Sequence, residues 1–98
     1  MNPKLRELVD IDRVIHEPGR LILVALLYSV KEADFLYLLH ETEMSKGNLS
    51  SHLSKLDEAG YVKITKTYRG KIPLTVCALT DAGRSAFEKY RKALKATL

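Results

Sequence analysis

Cysteine is almost missing from this chain. Cys77 stands alone, so no internal disulfide can form and one chain cannot build a thiolate cage around a metal. A lone free cysteine reads as a small buried core residue. Long apolar runs are missing too, and no segment suits a membrane-spanning helix. Met1 to Asp10 interleave charges with leucines and do not build the apolar centre of a signal peptide. A cytoplasmic protein without a membrane partner is expected. No glycine-rich phosphate loop is present. Ser45, His52 and Asp57 supply the residue types of a catalytic triad, but Ser45 has a better role as a helix cap and the three types co-occur commonly. Neither an enzyme nor a cofactor is therefore expected. With 98 residues, 46% of them hydrophobic, the chain suffices for one compact domain over 1–98 with a modest core.

Charge is present but unevenly spread. The formal net charge is +4, mild by itself as a sign of a polyanionic partner. Residues 1–30 balance at zero, residues 31–44 carry −3, residues 45–71 carry +4 and residues 72–98 carry +3. The positive excess starts at Ser45 and runs to the C-terminus. Such a run is ordinarily a solvated face, so its meaning depends on the elements that carry it.

Asn2-Pro3 forms a cap followed by a proline at a first helical position, and Leu5, Leu8 and Val9 recur at helical spacing behind it. Asp10 to His16 either continue this helix or form a separate turn. Pro18 restarts a helix whose Leu21, Ile22, Val24, Ala25, Leu26 and Leu27 are apolar nearly all round, which predicts a central, buried element. Lys31 to Asp34 read as a turn ending in an aspartate cap, and Phe35, Leu36, Leu38 and Leu39 open a short second core helix. His40, Glu41 and Glu43 share no helical face and read as an exposed acidic helix end, not a metal site. Ser45 caps a third helix.

On that helix, steps of about 100° per residue bring Leu49, Leu53 and Leu56 together as a buried stripe. Gly47, Ser51, Ser54, Lys55 and Glu58 fall opposite, flanked by Asn48 and Ser50. Four serines between Ser45 and Ser54 weaken a helix that glutamate or lysine would favour. A face that must approach base edges closely and hydrogen-bond to them accounts for that choice. His52 lies on the edge of the leucine stripe and reads as a packed structural histidine. Ala59-Gly60 ends the helix. Tyr61 to Tyr68 then alternate as a half-buried strand, Arg69 to Pro73 form a turn, and Leu74 to Leu79 form a second strand. Thr80-Asp81 cap a last helix with Phe87, Tyr90 and Leu94 in one stripe and Arg84, Lys89, Arg91, Lys92 and Lys95 on its surface.

Two short helices meeting at a turn, a third helix with a small polar outer face and a hairpin with a basic tip make a winged helix-turn-helix, mainly α with a small β-hairpin wing (α+β). The stretch Met44-Ser45-Lys46-Gly47-Asn48-Leu49-Ser50-Ser51-His52-Leu53-Ser54-Lys55-Leu56-Asp57-Glu58-Ala59-Gly60-Tyr61-Val62 resembles the recognition helix and strand entry of prokaryotic winged-helix regulators related to the MarR and ArsR groups. Pro18-Gly19-Arg20-Leu21 and Leu79-Thr80-Asp81-Ala82-Gly83-Arg84 are similar to the same groups. The resemblance spans nearly the whole chain. It implies a transcriptional regulator that reads double-stranded DNA in the major groove through a helix of about 45–59, with a wing of about 61–79 on the minor groove or backbone. By resemblance Lys46, Asn48, Ser50, Ser51, Ser54 and Lys55 face DNA, Ser45 stands at the helix start beside them, and Arg69 and Lys71 contact the minor groove or phosphates. Helical angles agree for Ser51, Ser54 and Lys55. They set Lys46 nearer the buried side, where it reaches DNA only from the open first turn.

The cysteine pair typical of ArsR-like metal sensors is lacking, so no cysteine-based metal sensing is expected. The competing reading is a winged helix that docks a protein or RNA, but such a wing has no need of Arg69 and Lys71 at its tip. A homodimer is expected through Leu5, Leu8 and Val9 of the first helix with Phe87, Tyr90 and Leu94 of the last, because the core has leucines enough to fill itself and a two-fold dimer matches a palindromic site. No sequence signature identifies a small-molecule effector.

Overall fold

Proline and polar caps decide where the helices begin. In the computed structural model, which describes residues 1–98, Asn2 accepts the Lys4 N–H and starts α1 (Pro3–Val9). Glu17 accepts the Gly19 N–H and starts α2 (Pro18–Tyr28). Asp34 caps α3 (Phe35–Thr42), Ser45 caps α4 (Lys46–Glu58) and Thr80 caps α5 (Asp81–Thr97). Each cap satisfies an N–H that the first helical turn leaves free. Between α1 and α2 the chain is not helical. Asp12 Oδ1 accepts from the N–H groups of Val14 and Ile15 at 2.9 and 3.0 Å, and this turn drives Ile15 into the core.

Three antiparallel strands, β1 (Ala33–Asp34), β2 (Val62–Arg69) and β3 (Ile72–Leu79), lie in the order β1-β3-β2. The β2–β3 register runs from Val62 opposite Leu79 to Arg69 opposite Ile72. Only Gly70 and Lys71 close the hairpin, so the five-residue turn expected from Arg69 to Pro73 is corrected to two residues. Gly70 at φ 63° supplies the positive angle that the first position of a II′ closure demands. Pro73 fits in a strand because its missing N–H falls on the side away from β2, an edge that β1 does not reach. β1 itself is an addition: two residues, the second of them the Asp34 cap, carry no periodicity that would reveal a strand.

One core joins all layers, from Ile15 through Leu23, Val24 and Leu27 of α2 to Leu49, Leu53 and Leu56 of α4 and Val62 and Cys77 of the sheet. Two expectations need correction. Ile22 is 48% exposed and Leu36 is 66% exposed, so α2 and α3 each keep an apolar residue outside. Phe87 and Tyr90, assigned to a dimer interface, are buried within their own chain. Phe87 meets Tyr28 edge-on with ring centroids 5.1 Å apart, and the Tyr90 hydroxyl lies 2.9 Å from His16 Nδ1. The stripe on α5 thus completes the core of this domain, and α1 packs on the same helix. No helix is long and apolar enough to cross a membrane.

The Tyr61 hydroxyl donates to Asp12 Oδ2 and so fastens the α1–α2 turn to the start of β2. That hydrogen bond, with burial and the carboxylate charge behind it, pushes the Tyr61 pKa up to about 12 from 10.0. A phenol with a raised folded-state pKa contributes stability that is complete below its unfolded value and is lost as pH climbs through the folded one. Urea midpoints should therefore fall between pH 10 and 12, and Tyr61→Phe should be less stable at neutral pH but flatter across that window. Parallel pH profiles for the two proteins would remove Tyr61 as the cause.

Candidate nucleic-acid interface

A turn of three residues sets α4 against α3. Glu43 ends α3 in the left-handed region at φ 57°, an uncommon conformation for a residue with a Cβ. Thr42 Oγ1 then accepts the Met44 N–H at 3.3 Å, while Ser45 Oγ accepts from Asn48 at 3.1 Å. The leucine stripe of α4 is fully seated, with Leu49 and Leu56 wholly inaccessible. Its remaining surface is open. Ser45, Lys46, Gly47, Asn48, Ser50, Ser51, Ser54 and Lys55 are all exposed.

Apart from Ser45, which caps the helix, the side chains of this face are uncommitted. Ser29, Thr42 and Thr97 bond a backbone carbonyl three or four residues back. The hydroxyls of Ser50, Ser51 and Ser54 make no such bond, and Lys46 and Lys55 join none of the ion pairs, which involve Glu17, Arg20, His40, Glu41 and His52. Free donors and acceptors on small side chains, with two lysines beside them, are what contact with base edges and phosphates requires.

His52 is held from behind. Its Nδ1 lies 3.3 Å from Glu17 Oε2 and 3.3 Å from Arg20 Nη1, and Arg20 Nε donates to the Val14 carbonyl at 2.6 Å. Its ring also covers Gly19, where an added Cβ would come within 2.8 Å of His52 Cδ2. This group ties α4 to the start of α2 and fits the structural role read for His52. The sequence marks neither Glu17 nor Arg20 as a partner of His52; its one local signal is the cap position of Glu17 directly before Pro18. His40 and Glu41 approach to only 4.0 Å, and no three His, Cys, Asp or Glu side chains converge as metal ligands would.

Arg69 and Lys71 are both exposed at the hairpin end. Lys63 and Lys66 are exposed along β2, and no carboxylate occurs between Val62 and Leu79. Part of the basic surface of α5 is instead structural, with the Arg84 guanidinium 4.8 Å from the centre of the Tyr28 ring. Of the expected dimer residues outside the core, Leu5 and Val9 are about half exposed, while Leu8 and Leu94 are half-buried.

The sequence profile of the winged helix DNA-binding domain family matches residues 20–98. An uncharacterised protein of Methanocaldococcus jannaschii is 34% identical over 79 residues, which are 80% of this chain and 85% of that one. Among solved structures, a transcriptional regulator homologue from Pyrococcus horikoshii superposes with a TM-score of 0.86 at 29% identity, over 95% of this chain and 91% of its own. The YusO protein of Bacillus subtilis shares the fold with a TM-score of 0.72 at 19% identity, over 95% of this chain and 63% of its own.

Proposed function

The chain belongs to the winged helix DNA-binding domain family, and from that premise we propose that it is a cytoplasmic transcriptional regulator that reads duplex DNA sequence-specifically. In this reading α4 enters the major groove with Ser50, Ser51, Ser54 and Asn48 towards base edges. Ser45, Lys46 and Lys55 meet the flanking phosphates, and Arg69 and Lys71 meet the minor groove or backbone. The observation that carries it is the open, uncommitted hydroxyl face of α4, backed by a fully buried leucine stripe. Small side chains let the helix backbone come close to the groove floor, and their free hydroxyls then act as donors or acceptors.

The domain acts as a two-fold dimer in which the exposed Leu5 and Val9 of α1, continued by Leu8 and Leu94, supply the contact; Phe87 and Tyr90 take no part. Two copies present two α4 helices about one turn of DNA apart, ~34–36 Å. Selection from a random duplex pool followed by sequencing tests both statements. The retained sites should be palindromes with half-sites about one helical turn apart. Ser51→Ala and Ser54→Ala should each relax the preference at one position per half-site, worth ~1–3 kcal/mol. Recovery of single, unpaired half-sites would contradict the dimer. Equal loss on every sequence would make the two serines phosphate contacts, and retention of no consensus at all would leave the protein- or RNA-docking alternative.

A further inference from the structure

Exposed apolar side chains occur on α1, α2, α3 and at both termini, and two large ones stand together at the tip of the wing. Tyr68 is 71% exposed and Ile72 is 65% exposed. They flank the same two-residue closure, with Tyr68 opposite Pro73 and Ile72 opposite Arg69. Alternation along the strands therefore puts Tyr68 and Pro73 on one face of the tip and Ile72 with Arg69 on the other. Single exposed apolar residues are ordinary on a protein surface, and tyrosine and isoleucine suit a strand. The rest of the exposed hairpin surface argues against that bland explanation, since β2 uses Lys63, Thr65, Lys66 and Thr67 there. Large apolar groups appear only at the end that projects beyond the sheet's cover.

We propose that Tyr68 and Ile72 form an apolar wedge at the wing tip, which enters the minor groove of bound DNA and partly unstacks a base step. The inference rests on the DNA-binding reading above. Charge selects the occupant: Lys63, Lys66, Arg69 and Lys71 with no carboxylate between Val62 and Leu79 suit a polyanion, and Arg69 and Lys71 lie directly beside the two apolar chains. Phosphates on both rims of the groove bind the cations while the apolar side chains reach the sugars and base edges between them. Wedges of this chemistry open base steps and kink the duplex. Pyrimidine–purine steps such as TA yield most readily, so the wing also favours such a step beneath it without any hydrogen bond to a base.

Short duplexes carrying 2-aminopurine in place of adenine at their TA steps provide the probe, since the base brightens when it unstacks. Wild-type chain should bind with a rise in fluorescence. Tyr68→Ser combined with Ile72→Thr should bind about tenfold more weakly, with an unchanged salt slope and no fluorescence rise. Both sites are exposed, and far-ultraviolet circular dichroism checks that the variant remains folded. A variant that binds as tightly as wild type, a wild-type complex whose probe stays dark, or equal loss of binding to anionic phospholipid vesicles and DNA would overturn the wedge. Failure of the wild type to bind any duplex would instead remove the DNA reading itself, seen as no anisotropy change.

Discussion

Gly83→Ala is expected to cost about 2–3 kcal/mol of stability, although alanine is the better helix former by about 1 kcal/mol. The reason is a backbone crossing. Thr80 donates its N–H to the Tyr61 carbonyl at 3.0 Å and its hydroxyl to the Gly60 carbonyl at 2.6 Å, and Thr80 Oγ1 accepts the Gly83 N–H at 3.0 Å. The start of α5 is thereby pulled onto the corner between α4 and β2. A Cβ at Gly83 would lie 2.9 Å from the Tyr61 carbonyl carbon and overlap its oxygen. Neither atom is the end of a flexible side chain, so relief requires moving a helix or breaking the corner. Against a typical domain stability of about 5–15 kcal/mol, the loss should lower the melting temperature by roughly 10–20 °C. Gly47→Ala is the control: nothing lies within 4 Å of its added Cβ, and it should be neutral or slightly stabilising. Equal denaturant midpoints for the two variants would show that the crossing is not tight.

The parts legible in the sequence are those set by local chemistry. Asn2, Asp34, Ser45 and Thr80 each cap the helix that their side-chain oxygens and positions suggest. The three-leucine stripe of α4 is buried as its spacing implies, because a period of 3.6 leaves it one face to hide. Long-range neighbours were less legible. Nothing in Ala33-Asp34 marks a strand, since its formation depends on the β3 backbone arriving beside it at Val76 and Cys77. Phe87 and Tyr90 read as a spare apolar stripe because the space between α2 and α5 is fixed only by packing; Tyr28 and His16 fill it with them. A turn from Arg69 to Pro73 overestimates the hairpin closure, because an unpaired edge of β3 accommodates Pro73 within the strand. In the candidate interface, exposure of the serines followed from the helical angles. The anchoring of His52 by Glu17 and Arg20 did not, since it joins residues more than thirty positions apart.

DNA binding through an open α4 face and a basic wing is tested most directly by a salt titration. Fluorescence anisotropy of a labelled duplex pool would be followed for the wild type and for Arg69→Ala combined with Lys71→Ala. Each phosphate contact releases counterions and contributes ~0.9 to the slope of log affinity against log salt. Arg69 and Lys71 are exposed and form no ion pair within the chain, so both are free to make such contacts, and their loss should leave the fold intact. The double variant should bind every duplex about sixtyfold more weakly at ~0.1 M salt, with a slope shallower by about 1.8. An affinity and slope identical to those of the wild type, or a wild type that binds no duplex at low salt, would contradict it.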